Sequence, residues 1–371
     1  MTYEKKLTYV SPEPERQGHA SYTHVHEIID GLVELGWDVD LFCPRYGEAK
    51  LPGALSRLLG ISKTLLKVMT APRPKVYYMR WHFAVFPLAL FAKILGIPTV
   101  IEVNGPVDDL FIAWPITRKF KSFFTWLMQS QLRWSDGVVA VTGGLAETVR
   151  DITDQDKLIV VIPNGANTNQ FTPQAAEAVN ATIHMLPESF MIFFGTMAPW
   201  QGIGTVLAAL EDPAWPKSMH AVFAGDGAER PAVEALAQRL DHVHYLGRVP
   251  YDELPSVVAR AQGSFVCSEN LEGRASTGLA PLKLFESMAC GLPIISTNMP
   301  FQADVVRDGG CGYVIEAGNA QVLAETVVKL MNNPVEAGEM SKRSRAIAVK
   351  DHSWAARAKD TQTVLQRVLK G

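Results

Sequence analysis

The chain alternates short apolar runs typical of buried strands with segments of helical period, and it does so in two successive sets. The first set predicts strands at 7–11, 39–42, 76–80, 99–104, 136–142 and 158–162. A stretch rich in proline and alanine at 172–188 is typical of a linker, and further strands follow at 190–194, 221–225, 243–247, 263–266 and 294–295. Alternating β and α elements form parallel sheets covered by helices on both faces. We therefore predict an α/β protein of two doubly wound halves that face a central cleft.

Charge and cysteine usage exclude several classes of protein. The 371 residues carry a formal net charge of −3, whereas a nucleic-acid-binding domain is normally strongly basic. No apolar core follows the first lysines, and the longest apolar stretch, at 83–97, is interrupted by Pro87, Lys93 and Gly96. The four cysteines are widely spaced without a metal-ligand pattern. This is typical of free thiols in a protein of a reducing compartment. We expect a cytoplasmic protein that binds no nucleic acid.

The stretch 278–291 predicts a loop, a short helix closed by Gly291, and a strand after Pro293. The free N–H groups of a helix N-terminus beside Lys283 form an anion site, and Glu286 one turn later can accept hydrogen bonds from hydroxyls. Phosphate and hydroxyl recognition together favour a nucleotide or nucleotide-sugar. The alternative, that Glu286 merely lies on a solvated helix face, is about equally compatible with the spacing.

Polar residues also collect where strands of the first half end. Gly18 and His19 lie in the loop after the first strand, and such loops face the crevice at the carboxyl edge of a sheet. His24 and His26 follow closely, but surface histidines are commoner than a metal site with this spacing. On the strand 99–104, Glu102 and Asn104 alternate onto one face. Turn chemistry before Gly105-Pro106 is the alternative explanation for Asn104.

A cationic and aromatic segment runs from 114 to 127. At helical spacing Phe120, Phe123, Phe124 and Leu127 share one face, flanked by Arg118, Lys119 and Lys121. Such a helix can lie in a membrane interface with its bases on anionic lipid, and 51–70 is a second apolar and basic stretch. An ordinary core-facing helix with a solvated basic flank is the alternative. We predict that 116–127 contacts the inner face of the cytoplasmic membrane.

Several short motifs, each weak alone, occur in an order and spacing that together are specific. They are Val161-Ile162-Pro163-Asn164-Gly165, Gly195-Thr196-Met197-Ala198-Pro199-Trp200-Gln201-Gly202, Ala224-Gly225-Asp226-Gly227, Leu246-Gly247-Arg248-Val249-Pro250, Tyr78-Met79-Arg80, Glu102-Val103-Asn104 and the stretch 278–291. Through these motifs nearly the whole chain resembles the family-4 retaining glycosyltransferases, in the subgroup with a Pro-Leu-Lys-Leu-Phe-Glu donor motif. The resemblance implies two Rossmann-like domains of the B type. We place them at 1–175, completed by a returning C-terminal helix at 355–371, and at 188–354.

The resemblance also implies an activity, namely transfer of a sugar from a nucleotide-diphosphate-sugar to an acceptor hydroxyl with retention at the anomeric carbon. The expected partners are a UDP- or GDP-sugar donor and a glycan or lipid-linked acceptor, while the family pattern leaves the donor base and sugar open. The second domain would bind the donor, with Glu286 on the ribose hydroxyls. The other donor-binding residues would be Leu279, Leu282, Lys283, Gly195, Thr196, Gln201, Arg248 and Val249. On the acceptor side the expected residues are Gly18, His19 and Arg80.

This sequence departs from the family at three places. The first acid of the Glu-x7-Glu pair is replaced by Gly278, and the Arg and Lys that often bind the diphosphate are Thr196 and Gln201. A histidine of the first domain is matched only by Asn104 or Glu102. The developing charge on a diphosphate still needs a cation, for which Lys283 is the best placed and Arg274 or Arg248 are alternatives.

We therefore predict Asn104, Glu102 and Lys283 as the catalytic residues. We expect neither metal nor cofactor, because the sequence has no Asp-x-Asp motif to hold a metal. A binding or scaffold protein that has lost its chemistry is the alternative that the three departures support. A phosphorylase or epimerase on the same fold is a third class, but its motifs are absent from the sequence.

Overall fold

The structure is a computed structural model, which describes residues 5–13, 15, 20–46, 52–180, 182–271 and 273–370. The chain divides into two units, Met1–Pro163 with Trp354–Gly371 and Asn164–Ser353. The division after Pro163 assigns the stretch 164–188 to the second unit. The predicted boundaries at 175 and 188 placed part of this stretch in the first domain and the rest in a linker.

The first unit is built on one parallel six-stranded sheet with the order β2-β1-β3-β4-β5-β6. Its strands are β1 (Lys6–Val10), β2 (Asp38–Phe42), β3 (Val76–Arg80), β4 (Thr99–Val103), β5 (Gly137–Ala140) and β6 (Leu158–Val161). Its helices are α1 (Ala20–Glu34), α2 (Ala54–Thr70), α3 (Phe86–Leu95), α4 (Asp108–Ala113), α5 (Lys121–Trp134) and α6 (Gly143–Arg150). The strand order reverses between β1 and β3, which is where ligands bind in such sheets.

The second unit repeats the architecture with the sheet order β12-β11-β10-β7-β8-β9. The strands are β7 (Phe190–Thr196), β8 (His220–Asp226), β9 (Val243–Gly247), β10 (Gly263–Val266), β11 (Ile294–Thr297) and β12 (Gly312–Ile315). The helices are α7 (Ile203–Glu211), α8 (Arg230–Ala237), α9 (Leu254–Ala259), α10 (Leu282–Ala289), α11 (Gln302–Gly309), α12 (Ala320–Asn332) and α13 (Pro334–Asp351). This is the dinucleotide-fold order, with its reversal between β7 and β10.

The last helix, α14 (Trp354–Val368), belongs to the first unit. It packs against α1, where Ala358 lies so close to Gly31 that a Cβ at Gly31 would be 2.5 Å from the Cβ of Ala358. The ring of Trp354 meets that of His24 edge to face with centroids 5.2 Å apart. The two doubly wound α/β domains predicted from the sequence are confirmed.

The segment 172–188 is more ordered than a linker. It contains two short 3-10 helices, Pro173–Glu177 and Thr182–Met185, that pack against α9. Arg260 donates hydrogen bonds to the carbonyl oxygens of Ala176 and Ala178, and Thr182 bonds Glu253 at 2.7 Å. Proline favours a 3-10 start, so the composition that indicated a linker instead belongs to packed turns. No helix among the described residues combines the length and the apolar character that crossing a membrane requires.

Candidate active site

The helix α10 carries the two charged residues on which the donor-site prediction rests. It begins after Pro281, and Gly291 follows its end with a φ of +75°, a conformation that favours glycine. Lys283 and Glu286 are three positions apart and therefore share a face. Both side chains are buried, with only 7% and 6% of their surface exposed. The alternative that Glu286 lies on a solvated helix face is therefore wrong.

Lys283 reaches from α10 to the carboxyl end of β7. Its ammonium lies 3.7 Å from the centroid of the Phe193 ring, and a Cβ at Gly195 would stand 3.9 Å from its Cε. Among the described residues Nζ has no hydrogen-bond partner. Burial lowers the pKa of Lys283 to about 7, against the opposing effects of Cys267 and Glu286. A buried lysine that lacks a hydrogen-bond partner among the described residues is costly to the fold and available to an anion at this edge of the sheet.

Glycines bring the loops of this edge into close contact. Gly202, at a φ of +70°, leaves so little room that a Cβ would lie 1.7 Å from the carbonyl oxygen of Cys267 after β10. A Cβ at Gly225 would lie 1.9 Å from the carbonyl oxygen of Gly195. Side chains at Gly202 and Gly225 are thus excluded by backbone. The turn after β7 can approach the neighbouring loops only because these residues are glycine.

The other residues predicted to bind the donor fall around the same edge. Gly195 and Thr196 are exposed at the end of β7, and Gln201, Leu279, Leu282 and Val249 are partly exposed. The backbone N–H of Leu279 donates to Pro300 O at 3.1 Å, so that group is already used within the protein. Arg248 does not share the surroundings of Lys283. Its guanidinium instead forms an ion pair with Asp226 at 3.2 Å. The side chain of Arg274 is outside the described part of the structure.

In the first unit, Glu102 of β4 is the centre of a buried polar network. Its carboxylate accepts hydrogen bonds from Arg80 at 2.9 Å, from the Asn104 amide at 2.5 Å and from Tyr9 at 3.2 Å. The Nε2 atom of His24 lies 2.9 Å from the same carboxylate. Only 1% of the Glu102 side chain is exposed. Glu102 and Asn104, which were predicted to share one face of the strand, are therefore hydrogen-bonded to each other, and Arg80 joins them.

Electrostatics keep this carboxylate ionised. Burial alone would raise the pKa of Glu102, but His24 and Arg80 hold it well below its usual range. Arg80 also lies 3.4 Å from Glu13, and the two acids raise its pKa despite its burial. The catalytic role predicted for Glu102 stays a prediction. The geometry shows a fixed anion that holds the Arg80 guanidinium and the Asn104 amide in place.

Several members of these two sites were not identified from the sequence. Tyr9 and His24 belong to the Glu102 network, although His24 had been interpreted as a surface residue. Phe193 forms the surface beneath Lys283, and period-two alternation along β7 places it on the same side as Gly195, which is the signal that would have identified it. Partners that come from distant strands leave no comparable pattern.

Two predicted acceptor-side residues, Gly18 and His19, lie outside the described residues. The neighbouring histidines do not form a common site, because His24 contacts Glu102 whereas His26 lies 3.3 Å from Glu15. Within the described ranges no group of three or more histidine, cysteine or acidic residues is arranged to hold a metal ion. Cys267, Cys290 and Cys311 are buried free thiols, and Cys43 is partly buried.

The aromatic segment 114–127 differs from the single helix that was predicted. A 3-10 helix covers Pro115–Phe120, and α5 begins at Lys121 after a break in which Phe120 has a φ of −127°. Phe124 therefore turns inward against Phe83, with ring centroids 5.2 Å apart. The exposed apolar face instead consists of Ile116, Phe120, Phe123 and Trp126, which are 49–62% exposed. We call these four residues the aromatic face.

Two sequence families match the two parts of the chain. The first, described as glycosyltransferase family 4, matches residues 22–170, and the second, described as glycosyl transferases group 1, matches residues 178–347. The α-maltose-1-phosphate synthase of Mycolicibacterium smegmatis is 25% identical over 96% of this chain and 97% of its own. A phosphatidyl-myo-inositol mannosyltransferase of Mycobacterium leprae is 27% identical over 56% of this chain and 54% of its own length.

Solved structures agree with the architecture. Sucrose-phosphate synthase from Thermosynechococcus elongatus matches 98% of this chain and 99% of its own, with a TM-score of 0.77 at 17% identity. Anabaena HepE in complex with UDP-glucose matches 98% of this chain and 99% of its own, with a TM-score of 0.69 at 17% identity. At such identities the likeness shows the fold, while the two family matches show the class of enzyme. The protein is a glycosyltransferase with two Rossmann-like domains, of which the first is similar to glycosyltransferase family 4 and the second to the glycosyl transferases of group 1.

Proposed function

We propose that this enzyme transfers a sugar from a nucleotide-diphosphate-sugar to an acceptor hydroxyl with retention of the anomeric configuration. The observation that carries the proposal is Lys283, whose buried amine has no hydrogen-bond partner among the described residues, at the carboxyl edge of the second sheet. Glu286 follows it on the same helix face. A cation and an acid one turn apart suit a ligand with a phosphate and hydroxyls, which a nucleotide-sugar has.

In this proposal the leaving diphosphate is stabilised by Lys283. Positive charge at the leaving group is a large contribution to catalysis of group transfer, because it acts where negative charge develops. The exposed residues Gly195 and Thr196 border the same place, and the absence of a side chain at Gly195 lets a phosphate approach the backbone closely. Lys283 thus supplies the positive charge of the basic pair, whose two positions are occupied here by Thr196 and Gln201. We propose further that no bound metal is needed, which EDTA treatment of the assay tests.

The first unit is proposed to bind the acceptor. Arg80 and Asn104 both donate hydrogen bonds to the carboxylate of Glu102. Asn104 is partly exposed just after the end of β4. An amide fixed in this way can donate to or accept from a sugar hydroxyl, as a substrate-positioning group. The relatives include enzymes named for a sugar phosphate and for a phosphatidylinositol, which supports a glycan or a lipid-linked acceptor here.

A donor screen tests the proposed function. The purified protein is titrated calorimetrically with UDP and GDP, then incubated with UDP- and GDP-sugars and candidate acceptors, and the products are detected by mass spectrometry. We expect binding of one nucleotide class and a glycosylated acceptor, whose anomeric configuration NMR then reports. Tight nucleotide binding without turnover on any acceptor would instead support a scaffold protein. An inverted product would contradict retention.

We also propose that the aromatic face rests on the inner surface of the cytoplasmic membrane. Its four apolar side chains are exposed beside the exposed bases Arg118, Lys119 and Lys121, although Lys121 is 3.3 Å from Asp108. Exposed aromatic side chains next to bases favour the headgroup layer of an anionic bilayer. This surface would bring the enzyme to a lipid-linked acceptor.

Vesicle binding measures this surface directly. The triple variant Phe120→Ser, Phe123→Ser, Trp126→Ser should partition at least about tenfold more weakly onto vesicles that contain an anionic phospholipid, since each ring loses roughly 1.5–3 kcal/mol of burial. The matched control Val179→Ser, Val335→Ser removes exposed apolar side chains from the second unit, where they are 75% and 81% exposed. Sedimentation with vesicles should leave the control unchanged. Equal binding by both variants would refute the membrane surface, and a concentration-dependent dimer lost only in the triple variant would assign the face to self-association.

A further inference from the structure

The resting position of Lys283 differs from that of an ordinary phosphate-binding lysine. Its Nζ is packed 3.7 Å from the centroid of the Phe193 ring and lacks a hydrogen-bond partner among the described residues. A ring face partly compensates a cation but does not replace the lost hydration shell. At the same edge the residues Gly195 and Thr196 are exposed. The amine is thus stored just inside the edge where the donor is proposed to bind.

Few charged groups of the described residues face this amine. From its own helix there is Glu286, and from the loop after β10 there is Cys267, while the nearby residues of β7, Phe193 and Gly195, do not titrate. Burial raises the pKa of the Cys267 thiol to about 12, so that group is neutral at physiological pH. Glu269, which follows in the same loop, bonds Thr205 at 2.6 Å. Glu286 is therefore the principal opposing charge near Lys283.

We propose that Lys283 is a proton-coupled latch, stored as a neutral amine against Phe193 and drawn toward Gly195 as an ammonium when a diphosphate binds. The inference rests on the proposed function of this site and adds its regulation. A lysine side chain is a flexible chain of four carbons, so its amine can move to the exposed edge without movement of the helix. The proton comes from solvent, and the diphosphate supplies the charge that keeps it.

The energetics support this order of events. The pKa of about 7 in the ligand-free protein means that most molecules carry an uncharged Lys283 above pH 8. An anion within a few ångströms favours the charged form and raises the pKa toward the ordinary value of about 10.4. Binding above pH 8 must then take up close to one proton per nucleotide. Below pH 6 the amine is already charged, so binding takes up almost none.

Calorimetry in buffers of different ionisation enthalpy counts these protons. UDP and GDP are titrated at pH 8.2, where their terminal phosphate is ionised, and again at pH 6.0, into the wild type, Lys283→Arg and Lys283→Met. The wild type should take up close to one more proton at pH 8.2 than Lys283→Arg, whose charge is permanent. Subtracting the arginine variant removes any proton that belongs to the ligand. Lys283→Met should bind at least about tenfold more weakly, without that uptake.

A second lysine of the same unit provides the matched control. Lys329 lies over the ring of Tyr313 at 4.3 Å but is exposed to solvent. Lys329→Met should therefore keep both the affinity and the proton uptake of the wild type. Nucleotide binding with equal proton uptake in the wild type and in both Lys283 variants would overturn the latch while leaving the donor site intact. Failure of every nucleotide to bind the wild type would overturn the proposed function, and the latch with it.

Discussion

Replacing Glu102 by alanine should lower the free energy of unfolding of the first unit by about 3–5 kcal/mol, the cost of leaving a buried charge without its partner. Arg80, at 6% exposure, would lose the carboxylate that accepts its 2.9 Å hydrogen bond. His24 and the amide of Asn104 lose the same acceptor. For a unit of this size the loss corresponds to a fall in Tm of roughly 6–20 °C. Thermal unfolding followed by circular dichroism measures it.

An exposed ion pair of the same sheet is the control. Lys6 and Asp38 lie 3.9 Å apart, with the Asp38 side chain 72% exposed, so Asp38→Ala should change stability by less than about 1 kcal/mol. If both variants unfold alike, the Glu102 network does not stabilise the unit. Enzyme assays at a temperature where Glu102→Ala is folded then separate a positioning role of Glu102 from a purely structural one.

The same network makes a prediction about pH. A carboxyl group whose pKa is lower in the folded chain than in the unfolded chain stabilises the fold above the unfolded value, about 4.3, and this contribution disappears as the pH falls toward the folded value. Because the pKa of Glu102 is held well below its usual range, the stability difference between wild type and Glu102→Gln should be full at pH 7 and narrow below about pH 4. Urea unfolding at both pH values compares the two proteins.

Much of the fold followed from the sequence because buried parallel strands are short, continuous apolar runs. The strand Phe190–Thr196 begins with five consecutive apolar residues, and the strand Thr99–Val103 contains the apolar residues Val100, Ile101 and Val103. Both were predicted within two residues of their ends. The strand Gly312–Ile315 was missed, since four residues with a leading glycine resemble a turn. The prediction of one continuous helix over 114–127 was wrong for another reason. The segment starts as a 3-10 helix at Pro115, which shifts the helical phase and turns Phe124 inward.

The sites were less predictable than the strands. The residues of the proposed donor site were identified from the sequence, because Lys283 and Glu286 stand in one short motif. Their burial was not predicted, since lysine and glutamate on a short helix are usually solvated. The Glu102 network joins Tyr9, Arg80 and Glu102, which are separated by up to 93 residues and meet only through strand pairing. Periodicity identifies the face of a strand and says nothing about which neighbouring strand supplies its partner.

Glu286→Gln should reduce kcat/KM for the accepted nucleotide-sugar by roughly 10- to 100-fold, the equivalent of about 1.4–2.7 kcal/mol for a lost charge-assisted hydrogen bond. The reason is that Glu286 is proposed to accept hydroxyl hydrogen bonds from the ribose, which an amide does more weakly. Because ribose contacts exist in both the ground state and the transition state, we expect the loss mainly in KM. Steady-state kinetics at saturating acceptor report the two parameters separately.

The variant Lys283→Met distinguishes a group that binds the donor from a group that stabilises the transition state. Lys283 is proposed to face the leaving group, where charge increases during transfer, so its removal should lower kcat by at least about tenfold as well as weaken binding. Glu325→Gln, an exposed acid on α12, is the control and should match the wild type. All three proteins are checked for unchanged thermal unfolding. If Glu286→Gln and Lys283→Met both show wild-type kinetics, the donor does not bind at α10, whereas a fall in kcat alone for Glu286→Gln would move this acid from the ribose to the reacting centre.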